Sequence, residues 1–337
     1  MRLNPDFVRR RTLVAAAAAT AISATLPFAL PQAAHAQAWP AKPIRVLVPL
    51  AAGGTADIVS SLIGTELAKA LGQPVVIENK PGAGGTIATA EAARAAPDGY
   101  TITFASQGTL VFNQALYAKP GYDSLKDLTP IAYTGGVSNL MVVPPGSAWR
   151  DPRAVADAAK AKPGTLTYSS GGSGTSHHLS AVLFAHLTNT ELVHVPYKGA
   201  PQGILGVMSG EINLGFYNTP TVLGQIREGK LRALGITSLT RSALLPNVPT
   251  LDEQGIKGYE VNTWFGWAGP AGLPAEIVNR LHGEIGKILA RPDVRETMSA
   301  QGIDIAPPST PAAFGKIIAD DLAKWLPIIK RSGATAN

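Results

Sequence analysis

Twice along this chain an apolar strand runs into a Gly/Ser/Thr-rich turn and straight on into a helix, and that repeated order leaves few folds open. The first unit is Ile44-Arg45-Val46-Leu47-Val48, then Leu50 to Ala56, then a helix expected over 57–71. The second is Thr165-Leu166-Thr167-Tyr168, then Ser169 to Ser176 (SSGGSGTS), then a helix expected over 177–187. A helix start leaves backbone N–H groups unpaired and carries the positive end of the dipole, so each turn suits a small anion such as carboxylate. The two turns lie far apart in sequence. We expect them on different lobes facing one gap, an arrangement for capture and not for chemistry.

Strand-like runs alternate with helical patterns through most of the chain, which predicts βαβ units with parallel sheets and helices on both faces. A first series covers strands at 44–49, 75–78 and 101–105; a second begins at Asn139 and carries strands near 165–168, 191–195, 211–216 and 231–237. An irregular stretch with Pro246, Pro249, Gly255 and Gly258 precedes an apolar run at 261–268. Helices over 274–290, 292–301 and 311–331 then close the chain without a clear new sheet. They find cover by packing back on the first series. The expected organisation is a discontinuous lobe 1 (38–138 plus 262–337) around an inserted lobe 2 (139–261), with a ligand cleft between them that closes by hinge bending.

The N-terminus reads as an export signal. Arg9-Arg10-Arg11 precedes an alanine-rich apolar run from Leu13, and Ala34-His35-Ala36 supplies an A-x-A cleavage site, so residues 1–36 are a signal peptide and the mature protein is periplasmic. Both the general secretory and the twin-arginine routes fit. The run is short and broken by Pro27 and Pro31, which argues against an anchor. Of the formal charge of +6, the leader holds +3, from four arginines against Asp6. No cluster of Lys/Arg interleaved with aromatics remains, so nucleic acid is not an expected partner. The chain has no cysteine, which excludes disulfides, thiolate catalysis and Cys-based metal sites.

Several segments carry a family resemblance: Trp39-Pro40-Ala41-Lys42-Pro43-Ile44-Arg45, Leu71-Gly72-Gln73-Pro74-Val75-Val76, and Glu78-Asn79-Lys80-Pro81-Gly82-Ala83-Gly84-Gly85. So do Ala96-Pro97-Asp98-Gly99-Tyr100-Thr101, His194-Val195-Pro196-Tyr197-Lys198-Gly199 and Leu245-Pro246-Asn247-Val248-Pro249-Thr250. In order and spacing over the whole mature chain they resemble substrate-binding proteins of the tripartite tricarboxylate transporters, the Bug family. That resemblance implies a type II periplasmic-binding-protein fold (α/β, two βαβ lobes with a hinge) holding a small carboxylate-bearing or amino-acid-like solute. It further implies that Gly53, Gly54 and Thr55 on one lobe, and Ser170, Gly174, Thr175 and Ser176 on the other, grip the proximal carboxylate. The partners it implies are the membrane permease subunits of such a transporter. No cofactor and no metal are expected, and the protein is expected to act as a monomer. The chain departs from the family pattern at Leu50, where an aromatic is usual, at Ala52, where proline is usual, and at Tyr217, where aspartate is frequent.

Other candidates come from strand ends, where open α/β sheets bind ligands. Ser106 and Gln107 follow one strand, Tyr197 a second and Asn218 a third, and all four are expected to line the pocket; for Tyr197, burial of the ring in the lobe core fits equally well. Asp57 has two readings: it accepts from a ligand donor, or it serves only the helix dipole. His177 and His178 point about 100° apart on a helix and do not chelate as an i, i+4 pair does, so capping or surface placement is expected. Trp264-Phe265-Gly266-Trp267 is expected to pack between lobes. Two other functions remain open here. A serine hydrolase would use Ser173 or Ser176 with His194, although Thr175 breaks the G-x-S-x-G spacing around Ser173. A receptor for a sensor kinase's periplasmic domain would use the same cleft as an uptake receptor.

Overall fold

The frame is set by one long strand that belongs to both halves of a ten-stranded sheet. The computed structural model describes residues 39–332 and 334–336, so the export leader read at 1–36 lies outside the described residues. The first elements are β1 (Ile44–Val48), α1 (Thr55–Leu71), β2 (Val75–Asn79), α2 (Thr86–Ala93) and β3 (Thr101–Ser106). A π-helical turn (Gly108–Phe112) and the short α3 (Asn113–Leu116) lead to β4 (Leu128–Val143). Then come α4 (Pro152–Ala161), β5 (Thr167–Ser170), α5 (Ser176–Thr188), β6 (Val193–Pro196), α6 (Ala200–Ser209), β7 (Leu214–Asn218), α7 (Thr219–Arg227) and β8 (Arg232–Ile236). The chain returns along β9 (Asn262–Pro270) and ends with α8 (Ala275–Ala290), α9 (Pro292–Ala300), β10 (Ile303–Ile305) and α10 (Pro311–Ser332).

Strand order is β2-β1-β3-β9-β4-β7-β5-β6, with β8 and β10 also pairing β4. The β1–β2, β1–β3, β5–β6 and β5–β7 pairs are parallel, as the βαβ alternation requires, while β9 and β4 run antiparallel to their neighbours. Along β4 the partner changes: Leu128 to Ser138 pair with β9, and from Asn139 onward the strand pairs with β7 and β8. Strand β4 starts eleven residues earlier than the sequence pattern indicates, because Pro130, Gly135 and Gly136 break the apolar alternation and the register shifts at two places there.

Local chemistry explains the helix ends. Asp151 caps α4 by accepting from the Ala154 amide at 2.8 Å, with Pro152 at the first helical position. Gly72 ends α1 in a left-handed conformation, φ 68°, and its N–H bonds the Ala68 carbonyl at 3.0 Å. One apolar core lies around β1 and β3 (Val46, Val59, Ile63, Phe104, Trp267, Leu281). Another joins both halves of the sheet through Phe112, Tyr168, Phe184, Phe216, Trp264, Phe314 and Trp325. The aromatics of β9 belong to these cores, with Phe104 stacked on Phe265 at 5.6 Å and Trp264 edge-on to Phe314 at 5.4 Å.

Candidate functional site

The first turn leaves β1 at Val48 and enters α1 at Thr55. Gly53 sits at φ 76°, in the region that favours glycine, and its N–H donates to Asp57 Oδ2 at 2.8 Å. Asp57 therefore closes its own turn and meets the positive end of α1, as the dipole reading expects. Gly54 donates to the Ala51 carbonyl at 3.3 Å, and Thr55 is buried with its hydroxyl unpaired.

The second turn is wired from within. Ser170 ends β5 fully buried; its Oγ accepts the Gly172 N–H at 3.1 Å and bonds His194 Nε2 at 2.7 Å. Gly171 N–H donates to His177 Nδ1 at 3.3 Å, and Gly174 N–H to His178 Nδ1 at 3.2 Å. Thr175 caps α5, donating to the Gly172 carbonyl at 2.7 Å and accepting from the His178 amide at 3.5 Å. Ser176 is buried at the helix start. The expectation of capping by the adjacent histidines holds, but surface placement does not: both rings are buried beneath the turn. His178 stacks on His194 at 4.2 Å, and Tyr168 stacks on His194 at 4.8 Å. Burial holds His177 and His194 down at about 4, and burial together with the neighbouring His194 holds His178 at about 3, so all three are neutral near pH 7.

The two turns meet. Gly199, at the start of α6, packs on Ala51 so closely that an added Cβ would fall 2.5 Å from the Ala51 methyl. Gly84 packs on Ser173, where a Cβ would fall 2.1 Å from the carbonyl oxygen. Asn113 Nδ2 donates to the Gly84 carbonyl at 3.0 Å, and the Tyr117 hydroxyl donates to the Ser173 carbonyl at 3.3 Å. Between these contacts lies a cavity of 260 Å³ lined by the 49–51 segment, the 81–85 turn, Tyr117, the 171–173 turn, Pro196, Tyr197 and Lys198. Lys198 is its only charged lining residue, and among the described residues no ion pair joins it. The 82–85 turn on the cavity's edge takes left-handed backbone at Ala83, φ 45°, and Gly84, φ 61°. Larger hollows of 630 Å³ over α5 and β6 and of 420 Å³ behind the crossing strands do not include both turns.

Of the residues expected at the site, Tyr197 lines this cavity, and its ring also packs on the core under β7. Gly53, Gly54, Thr55, Ser170, Gly174, Thr175 and Ser176 belong to the turns that wall it but do not front it. Ser106 instead exchanges hydrogen bonds with Thr109, and Gln107 Nε2 donates to Asp321 Oδ2 on α10 at 2.7 Å, which Trp264 Nε1 also reaches at 2.6 Å. Asn218 is buried, bonded to Asn139 and His177. Sequence reasoning missed Lys198, Tyr117 and the 82–85 turn. The first follows Tyr197 directly, and the glycine run stood among the segments of family resemblance without a role of its own.

Tyr217, the departure from the family pattern, is fully buried and bonds Ser169 Oγ at 2.6 Å; Gly203 and Gly215 leave the room its ring needs. The hydrolase reading named Ser173 or Ser176 with His194, but the serine that His194 bonds is Ser170. Ser170 is inaccessible, and among the described residues no carboxylate hydrogen-bonds His194. Among the described residues no helix is long and apolar enough to cross a membrane, and no cluster of three or more His, Asp or Glu could hold a metal ion.

A family model described as the tripartite tricarboxylate transporter family receptor matches residues 59–334. The chain is 35% identical to the UPF0065 protein in the tcbD-tcbE intergenic region of Pseudomonas sp. strain P51, over 99% of this chain and 98% of that one. It superposes on the periplasmic binding protein BugD with a TM-score of 0.84 at 30% identity, covering 89% of this chain and all of that one. It also superposes on Rhodopseudomonas palustris Rpa4515 with adipate (TM-score 0.85, 30% identity, 88% and 99% covered) and on R. palustris MatC with bound malate (0.83, 30%, 86% and 99%). The fold is thus that of the periplasmic binding proteins, and the matches are receptors and not enzymes.

Proposed function

The chain belongs to the tripartite tricarboxylate transporter receptor family, and from that premise we propose that it captures a small carboxylate-bearing solute in the 260 Å³ cavity between its glycine turns, in the periplasm, for delivery to membrane permease subunits. The observation that carries this reading is that the 49–51 and 171–173 segments line one cavity, where Lys198 is the only charged residue among the described residues. A cation beside backbone amides favours a carboxylate over a neutral solute. The relatives solved with adipate and with malate support the same solute class.

In this reading residues 38–138 with 262–337 and residues 139–261 act as two lobes. They move about the crossings at Ser138/Asn139 and Val261/Asn262, where β4 and β9 cease to pair. Solute bound between the lobes shifts the equilibrium toward a closed form that the permease recognises. Gly53, Gly54, Thr55, Gly174, Thr175 and Ser176 form the walls, while Tyr197 and Lys198 face the solute. Titration calorimetry of the protein with succinate, malate and adipate, each against its diamide, tests the proposal. Binding of at least one acid but not its diamide is expected; equal binding of acid and diamide overturns it.

A further inference from the structure

The hydrogen bonds behind the second turn can be oriented without reference to assigned protons, because they begin at a backbone amide. Gly171 N–H can only donate, so His177 Nδ1, 3.3 Å away, accepts. A neutral imidazole then carries its proton on Nε2, and the Asn218 atom 3.2 Å from Nε2 is the carbonyl oxygen Oδ1. Asn218 Nδ2 consequently faces Asn139 Oδ1, at 2.5 Å, and Asn139 Nδ2 donates to Ser180 Oγ at 2.8 Å. Each link has one direction. The chain passes through Asn139, the first residue of β4 beyond the change of strand partner, whose backbone amide donates to Thr237 Oγ1 at 2.8 Å.

From this relay we infer that His177 is a positioning residue: held in a single neutral tautomer by Asn218 and Asn139, it fixes the 171–174 turn and ties it to the strand that crosses between the two halves of the sheet. The inference rests on the reading that this turn walls the solute site. Asn218 then serves the relay from a buried position behind the turn. The Tyr217 ring at 5.0 Å, Asn218 and the Gly171 amide pack on His177, and among the described residues no charged side chain hydrogen-bonds it. Burial without a charged partner keeps the ring neutral through the range from pH 8 to pH 5.

Nitrogen-15 NMR of histidine-labelled protein tests the inference. His177 is expected to show a protonated Nε2 and a bare Nδ1 from pH 8 to pH 5, and a proton on Nδ1 overturns it. In Asn218→Leu the acceptor for Nε2 is gone, so the tautomers should mix and the Gly171 amide should exchange about tenfold faster or more, as expected for a buried donor losing its partner. His177→Asn keeps an acceptor near the Nδ1 position and should hold Gly171 exchange and adipate affinity within about threefold of the unaltered protein, whereas His177→Leu should lose about tenfold in each. Equal Gly171 exchange in His177→Leu and the unaltered protein overturns the inference. If adipate, malate and succinate all fail to bind the unaltered protein, the carboxylate reading fails, while the tautomer and exchange results still decide the role of His177.

Discussion

The Tyr117 hydroxyl donates to the Ser173 carbonyl at 3.3 Å, so the segment that follows β3 holds a turn that follows β5. Tyr117 lies four residues beyond Asn113, whose amide holds Gly84 on the same edge of the cavity. Removing the hydroxyl in Tyr117→Phe should release one hydrogen bond across the cavity, a net loss of about 0.5–1.5 kcal/mol. We expect carboxylate affinity to fall by roughly two- to tenfold, mainly through faster release, and the urea midpoint to fall as well, because the bond is made without solute. Stopped-flow dissociation checks this, and an unaltered off-rate removes Tyr117 from the closure contact.

Among the described residues Lys198 is the single charged residue lining the cavity. Lys198→Met keeps much of the aliphatic stem and removes the charge. It should weaken adipate binding by about 1–3 kcal/mol and flatten its dependence on ionic strength. Calorimetry at low and high salt reads both quantities. The same salt dependence in Lys198→Met and the parent would place the charge elsewhere.

Asp57 closes the first turn through the Gly53 amide. Asp57→Ala should cost about 0.5–2 kcal/mol of stability, the range for losing a helix-start acceptor, whereas Asp57→Asn should cost only a fraction of that by retaining an oxygen. Urea denaturation distinguishes the two. Identical losses would mean that charge and not hydrogen bonding is what the turn needs.

Acid should destabilise the protein through its buried histidines. Their folded values lie below the ordinary 6.5, at about 4 for His177 and His194 and about 3 for His178. Between pH 6.5 and these values the unfolded chain binds protons that the folded chain refuses. Stability is therefore complete above pH 6.5 and falls as pH drops toward 4, by up to about 1 kcal/mol per pH unit for each histidine. Chemical denaturation at pH 7, 6 and 5 should show a steadily falling midpoint, and a midpoint flat over that range contradicts the neutral, buried assignment.

Much of the fold was legible because its signals are local. Helix α4 falls on 152–161 as its Asp-Pro start predicts, and α1 ends where Gly72 permits a left-handed residue. The glycine turns were also visible, since only small residues allow the packing at Gly84 and Gly199. The first half of β4 was not visible, because its stability comes from pairing with β9, more than a hundred residues later in the chain, and not from its own alternation. Gln107 shows the limit at the site. Its place after β3 suggested the pocket, but Asp321 on the last helix claims its amide.

Apart from the first half of β4 and the short β10, the sequence by itself determined the order of strands, turns and helices, the two amide-rich turns and the family to which they belong, because periodicity, capping and glycine geometry act over a few residues. Tertiary structure decided which amides the molecule keeps for itself, which histidines are buried neutral, and that Lys198 and the 82–85 turn share a cavity with Tyr197. The glycine amides find their histidines within six residues, but the rings' burial comes from β5, β6 and β7 packing together, and the cavity draws its lining from opposite halves of the sheet.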